Sequence, residues 1–185
     1  MRKTFIALAL IGASPAYAAG LDIAVAGEAN GVISIDLLED IAPQHVERIT
    51  ELAKAGEYDG VAFHRVIDGF MAQTGDVQFG DTTDGYDANS AGHGGSSFDD
   101  LPAEFSDTPY ARGVVGMARS AQSLDSANSQ FFITFDEAPF LNGQYTVVGK
   151  VTAGMDVLDA IKRGHPRSGA ITGDPDVMTS VTVTE

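Results

Sequence analysis

The stretch Phe63-His64-Arg65-Val66-Ile67-Asp68-Gly69-Phe70-Met71-Ala72-Gln73-Thr74-Gly75-Asp76 puts a guanidinium, a primary amide and several large apolar side chains on one short run. Arginine keeps its charge at ordinary pH and offers donors in a rigid fork, so its chemistry is to hold an electron-rich atom rather than to trade protons. Other chemistries find less support. The histidines at 45, 64, 93 and 165 have no motif around them, no G-x-S-x-G elbow or H-E-x-x-H occurs, and His64 in a strand reads as structural. Asp81, Asp84 and Asp87 do not have the spacing of a calcium loop. With no cysteine, a thiol nucleophile, a disulfide and a thiolate metal site are all excluded. Pattern alone still allows Arg65 to be a surface arginine beside a core hairpin.

Asp68-Gly69 is a tight-turn signal, so Val61 to Ile67 and Phe70 to Thr74 read as a hairpin. Strand alternation points Phe63 and Arg65 one way, and the turn brings Arg65 close to Met71 and Gln73. Leu21 to Ala26 and Val32 to Leu37 form another predicted hairpin. Gly113 to Ala118, Phe131 to Phe135, Tyr145 to Val151 and Val177 to Val183 are further strands. Pro43 opens a predicted amphipathic helix carrying Val46, Ile49, Leu52 and Ala53 and stopped at Gly56, and Met155 to Ile161 is a second. Gly75 to Arg112 is rich in Gly, Asp, Ser and Thr and too long for an idle connection, which marks an ordered functional loop. About eight strands and two helices joined by short connections favour antiparallel pairing, and closure into a barrel would remove the sheet edges.

The chain of 185 residues is the size of one domain. Its formal charge is -15 and its Lys and Arg residues are scattered with no run longer than two, which speaks against a nucleic-acid partner. Arg2 and Lys3 precede an apolar run from Phe5 to Ala13, and Ala16-Tyr17-Ala18 supplies a small-residue cleavage site. Residues 1–18 are therefore expected to be a signal peptide and 19–185 the mature domain. That domain is expected to be exported and soluble, without a membrane anchor, and to lie in the periplasm.

The run F-H-R-V-I-x-G-F-M-x-Q-x-G-D resembles the central signature of the cyclophilins. Two more blocks agree in order: Gly113-Val114-Val115-Gly116-Met117-Ala118-Arg119-Ser120 followed by Asn128-Ser129-Gln130-Phe131-Phe132-Ile133-Thr134, and Phe140-Leu141-Asn142-Gly143-Gln144-Tyr145-Thr146-Val147-Val148-Gly149-Lys150-Val151. The resemblance implies a mainly β fold, a closed eight-stranded antiparallel barrel capped by two helices. It implies a monomeric peptidyl-prolyl cis-trans isomerase that needs no metal or cofactor, takes proline-containing polypeptides and assists folding of exported proteins. By the same resemblance Arg65 is catalytic, with Gln73 hydrogen-bonding near it. Phe70, Met71, Phe132 and Leu141 match the proline pocket. Ala118, Arg119 and Gln130 match the groove for the residues before the proline, and Tyr145 stands where eukaryotic members carry histidine. Phe140 replaces their tryptophan, so cyclosporin binding is expected to be weak, and the segment from Ala118 to Gln130 is longer than theirs. A proline-peptide binding module without turnover would keep the pocket but not require the guanidinium. A small secreted hydrolase using His64 or His93 lacks a partnered nucleophile.

Overall fold

A computed structural model describes residues 19–83 and 86–184, so the expected signal peptide lies outside the described residues. β1 (Gly20–Ala26) and β2 (Gly31–Leu37) form the first hairpin, burying alternate residues Leu21, Ile23 and Val25 against Ile33, Ile35 and Leu37. α1 (Pro43–Lys54) has proline in its first turn and buries Val46, Ile49, Leu52 and Ala53, one helical stripe. Its N-cap, Ala42, has no capping side chain. The cap comes from elsewhere: the Glu104 carboxylate accepts hydrogen bonds from the backbone N–H of Gln44 (3.3 Å) and of His45 (3.2 Å) and contacts His45 Nδ1 at 2.6 Å. Partial burial pushes the Glu104 carboxyl up, but these bonds together hold it below the usual value. The long loop is thus tied to the helix through the dipole end that favours an anion.

The remaining strands are β3 (Val61–Ala62), β4 (Arg65–Ile67), β5 (Met71–Thr74), β6 (Val114–Met117), β7 (Phe131–Thr134), β8 (Val147–Ala153) and β9 (Val177–Thr184), with α2 (Met155–Ala160) before the last. All pairs are antiparallel, in the order β3-β9-β1-β2-β8-β6-β7-β5-β4. The expected eight-stranded closed barrel is corrected here. Among the described residues the curled sheet has nine strands, and its hydrogen-bonded order has two ends. Those ends are successive pieces of one run, since the strand expected from Val61 to Ile67 breaks at Phe63-His64. The cause is a change of partner: β3 pairs with β9, whereas β4 pairs with β5. Between them the Phe63 N–H donates to the Asp176 carbonyl at 2.9 Å. The break also overturns the expectation that Phe63 and Arg65 share a face, because Phe63 is buried in the main core while Arg65 is only half-buried.

Neither end of the sheet is bare. Beside β3, Ala62 N–H donates to the Gly80 carbonyl at 2.8 Å and Asp81 bridges Val61. Beside β4, Val66 N–H donates to the Gly169 carbonyl at 2.8 Å, Gly164 N–H donates to the Val66 carbonyl at 2.9 Å, and Ala170 bridges Arg65. The main core fills the curl. A second, smaller cluster of Met71, Tyr110, Val114, Phe132, Ala138, Leu141 and Val147 lies outside it, with Phe70, Ala118 and Tyr145 packed on its surface. This second cluster supports the groove described next.

Candidate active site

The hairpin of β4 and β5 sets Arg65 directly opposite Gln73, Val66 opposite Ala72 and Ile67 opposite Met71. Val66 and Ala72 point into the main core, so the alternate residues Arg65, Met71 and Gln73 turn to the other face. The connection is Asp68-Gly69-Phe70, with Gly69 at φ +68 and Phe70 N–H closing the turn on the Ile67 carbonyl at 3.1 Å. In the four-residue turn 67–70 that this bond closes, a positive φ at the third position favours glycine. Phe70 accordingly belongs to the turn rather than to the strand expected for it, and its ring tilts against Phe140 with centroids 5.3 Å apart.

Arg65 is fixed from both sides. Its Nη1 donates to Gln73 Oε1 at 3.0 Å and its Nε donates to the Ser168 carbonyl at 3.1 Å. Gln73 Nε2 in turn donates to Gln130 Oε1 at 2.9 Å, and Gln130 Nε2 to the Gly94 carbonyl at 2.8 Å, so the guanidinium ends a chain of amides anchored in the long loop. Burial lowers the pKa of Arg65 from its usual value. An arginine nevertheless remains charged.

Beside this guanidinium lies a cavity of about 460 Å³ walled by Phe70, Met71, Phe132, Leu141 and Tyr145. Phe132 stacks on buried Tyr110 at 5.8 Å and meets Tyr145 edge-on at 5.7 Å. A 3₁₀ turn, Pro139–Leu141, turns Leu141 inward and leaves Phe140 68% exposed at the rim. A second cleft of about 940 Å³, bordered by Gly94, Gly95, Asn128 and Gln130, adjoins the first, and Gln73, Ala118 and Arg119 line both. Every residue singled out in the sequence as catalytic or substrate-binding therefore lies on one of two joined clefts.

The long loop that walls the second cleft is organised by Asp76. This fully buried carboxylate accepts backbone N–H groups of Gln78 (3.1 Å), Phe79 (2.9 Å), Gly92 (2.6 Å) and Gly94 (3.0 Å). Sequence reasoning missed this role, although Asp76 ends the central signature. It also missed Tyr110, which supports Phe132, Gln144 on the pocket wall, and Gly116, which faces both rings. Among the described residues the histidines form no catalytic pair. His64 is buried with neither ring nitrogen hydrogen-bonded among the described residues, and burial, opposed by the nearby Asp76 carboxylate, pushes its pKa down to about 4. His93 borders the second cleft, and His45 is engaged by Glu104.

An apolar pocket beside a fixed donor suits a ring next to an electron-rich atom, and the comparisons with known proteins agree. Residues 21–183 match the family described as cyclophilin type peptidyl-prolyl cis-trans isomerase/CLD. A probable peptidyl-prolyl cis-trans isomerase of Brucella suis is 56% identical over 154 residues, covering 83% of this chain and 78% of that protein. A peptidyl-prolyl cis-trans isomerase of Helicobacter pylori is 40% identical over 138 residues, 72% of this chain and 76% of that one. Among solved structures, a cyclophilin type peptidyl-prolyl cis-trans isomerase of Cryptosporidium parvum, crystallised in the presence of the dipeptide Ala-Pro, superposes with a TM-score of 0.73 at 25% identity, covering 90% of this chain and 99% of that one. A cyclophilin from Hirschia baltica gives a TM-score of 0.70 at 26% identity, over 88% of this chain and 73% of that one. The chain belongs to the cyclophilin-type peptidyl-prolyl cis-trans isomerase family.

Proposed function

We propose that Arg65 catalyses rotation about X-Pro bonds by donating a hydrogen bond to the prolyl nitrogen, and that the enzyme works on exported polypeptides. The peptide bond resists rotation by roughly 18 to 20 kcal/mol because of resonance, and X-Pro isomers exchange over tens to hundreds of seconds. When the bond is twisted by a quarter turn, resonance is lost, the prolyl nitrogen becomes pyramidal and its lone pair becomes an acceptor. A donor aimed at that lone pair binds the twisted state more tightly than either planar isomer, which is the condition for raising kcat. No bond breaks and no proton moves, so neither a nucleophile nor an acid–base pair is required.

The observation that carries this reading is the setting of Arg65: a half-buried guanidinium held by an amide and a carbonyl, with no carboxylate paired to it among the described residues, at the edge of an apolar cavity. Phe70, Met71, Phe132 and Leu141 would hold the proline ring, Tyr145 would close the wall, and Ala118, Arg119, Gln73 and Gln130 would carry the chain that precedes the proline. Shielding from water strengthens the donated bond. The experiment measures peptide affinity by titration and cis-trans exchange by NMR for Arg65→Ala and Phe132→Ala, with a thermal melt for each. A charge-assisted hydrogen bond is worth about 1.5 to 3 kcal/mol, so Arg65→Ala should lose roughly ten- to over a hundredfold in kcat with much of its binding intact. Phe132→Ala should lose both. A folded Arg65→Ala with near-normal exchange would remove the guanidinium from the mechanism.

Export rests on the basic pair, apolar run and A-x-A site of residues 1–18. Cleavage after Ala18 would release a soluble monomer into the periplasm. Intact-mass measurement on protein from that compartment should show the loss of those residues, and a mature form that keeps them overturns the export reading.

A further inference from the structure

We propose that Arg119 is a specificity residue that recognises an acidic side chain immediately before the proline, so that Glu-Pro and Asp-Pro bonds are favoured substrates; this rests on the isomerase reading of the groove. Arg119 follows β6 at the point where the two clefts meet and lines both. Its guanidinium lies 4.4 Å over the Tyr145 ring, its Nε donates to the Gln144 carbonyl at 3.0 Å and its Nη1 to the Ser120 carbonyl at 2.9 Å. These contacts hold the fork in place without neutralising it, and its Nη2 has no hydrogen-bond partner among the described residues.

The surrounding charge is one-sided. The ion pairs among the described residues engage His45, Arg112, Lys162 and Arg163, none of which lines the proline pocket. Among the described residues no Asp or Glu lines that pocket, and its two charged residues are Arg65 and Arg119. The second cleft includes one carboxylate, Asp100, which accepts from Asn128 Nδ2 at 3.0 Å. In a chain of net charge -15, the groove is therefore a local inversion of sign, with two cations left uncompensated. Arg65 has the prolyl nitrogen as its partner. With the ring in the smaller cavity, the preceding residue crosses the seam where Arg119 stands, and a carboxylate there can accept from the free edge of the fork.

The test is a double-mutant cycle between enzyme and substrate. Catalysed exchange is measured by NMR as kcat/KM for two peptides that differ only in Glu or Gln before the proline, with wild type, Arg119→Gln and Arg119→Lys. A partly exposed ion pair supports roughly a two- to fivefold preference for Glu in wild type. That preference should fall to unity or below in Arg119→Gln, because the remaining field of the protein repels an acid. It should persist in part in Arg119→Lys and fade as salt is raised. A purely structural role for Arg119 would slow both peptides alike and leave the ratio unchanged, which overturns the proposal. So does a preference seen only when Glu follows the proline. If wild type accelerates neither peptide, the isomerase reading fails and this inference with it, whereas acceleration with an unchanged ratio refutes the recognition alone.

Discussion

Gly116→Ala tests whether the floor of the proposed proline pocket is as tightly packed as its geometry indicates. Gly116 pairs with Phe132 across β6 and β7. A Cβ at this position would lie 2.3 Å from Tyr110 Oη, 2.6 Å from Phe132 Cζ and 2.9 Å from Tyr110 Cε1. Ordinary contacts between carbon atoms fall near 3.5 to 4.0 Å, so one or both rings must retreat by about 1 Å. Tyr110 is 2% exposed and stacks on Phe132, which borders the cavity, so both rings must shift and the open space that takes up the shift is the cavity beside Phe132. Overpacking of this kind costs about 1 to 3 kcal/mol, which for a domain of this size lowers Tm by roughly 3 to 10 °C. The ring pushed into the cavity should raise KM for proline peptides severalfold with a smaller change in kcat, since the space is used by ground and transition states alike. Differential scanning calorimetry and exchange kinetics read the two effects. Adding Tyr110→Phe removes the closest atom and should recover part of both, at little cost because the Thr146 carbonyl also accepts from Met117 N–H at 2.9 Å. An unchanged Tm, or a lowered Tm with an unchanged KM, refutes the reasoning.

Asp76→Ala strips the acceptor from backbone donors of residues 78, 79, 92 and 94 and should cost about 3 kcal/mol or more in urea titration, with faster proteolysis between residues 77 and 95. His64 contributes to acid sensitivity: its pKa of about 4 when folded lies below the ordinary 6.5, so between these values the unfolded chain binds a proton that the native one refuses. Stability should therefore fall as pH drops through that window, by about 3 kcal/mol from this residue. His64→Gln should show a correspondingly shallower decline of Tm from pH 7 to 4.5, and equal slopes would contradict the assignment. Phe140→Trp supplies an indole N–H at the exposed rim and should lower the cyclosporin concentration needed for half-inhibition, and equal inhibition would show that another part of the groove dominates.

The hairpin that carries Arg65 and Gln73 is legible because its information is local: Asp68-Gly69 marks the turn, and alternation from Arg65 to Gln73 decides what faces what. α1 was legible for the same reason, through Pro43 and its buried stripe. What escaped depends on partners far away in the chain. The run Val61–Ile67 has uniform strand character, and nothing within it announces that its backbone changes partner at Phe63-His64. Those partners come from Asp176, Gly169 and Gly80. Tyr110 lies in a stretch with no periodicity, and its purpose appears only when Phe132 stacks on it and Gly116 leaves the room. Asp76 ends the central signature, and the composition of Gly75 to Arg112 already marks an ordered loop, but which backbone donors the carboxylate gathers depends on how that loop folds back on it.

The covered ends of the sheet bear on what an unfolded chain nearby can pair with. An unfolded polypeptide carries long rows of unsatisfied backbone donors and acceptors, and a bare strand is a template on which such a chain can pair and stay. Here β4, the three-residue strand that presents Arg65, is flanked by Gly164, Gly169 and Ala170, and β3 by Gly80 and Asp81. At these two ends such a chain therefore finds no bare strand among the described residues to extend. Contact with such a chain is left to side-chain surfaces such as the groove, and strand-by-strand coaggregation through the ends of the sheet is disfavoured.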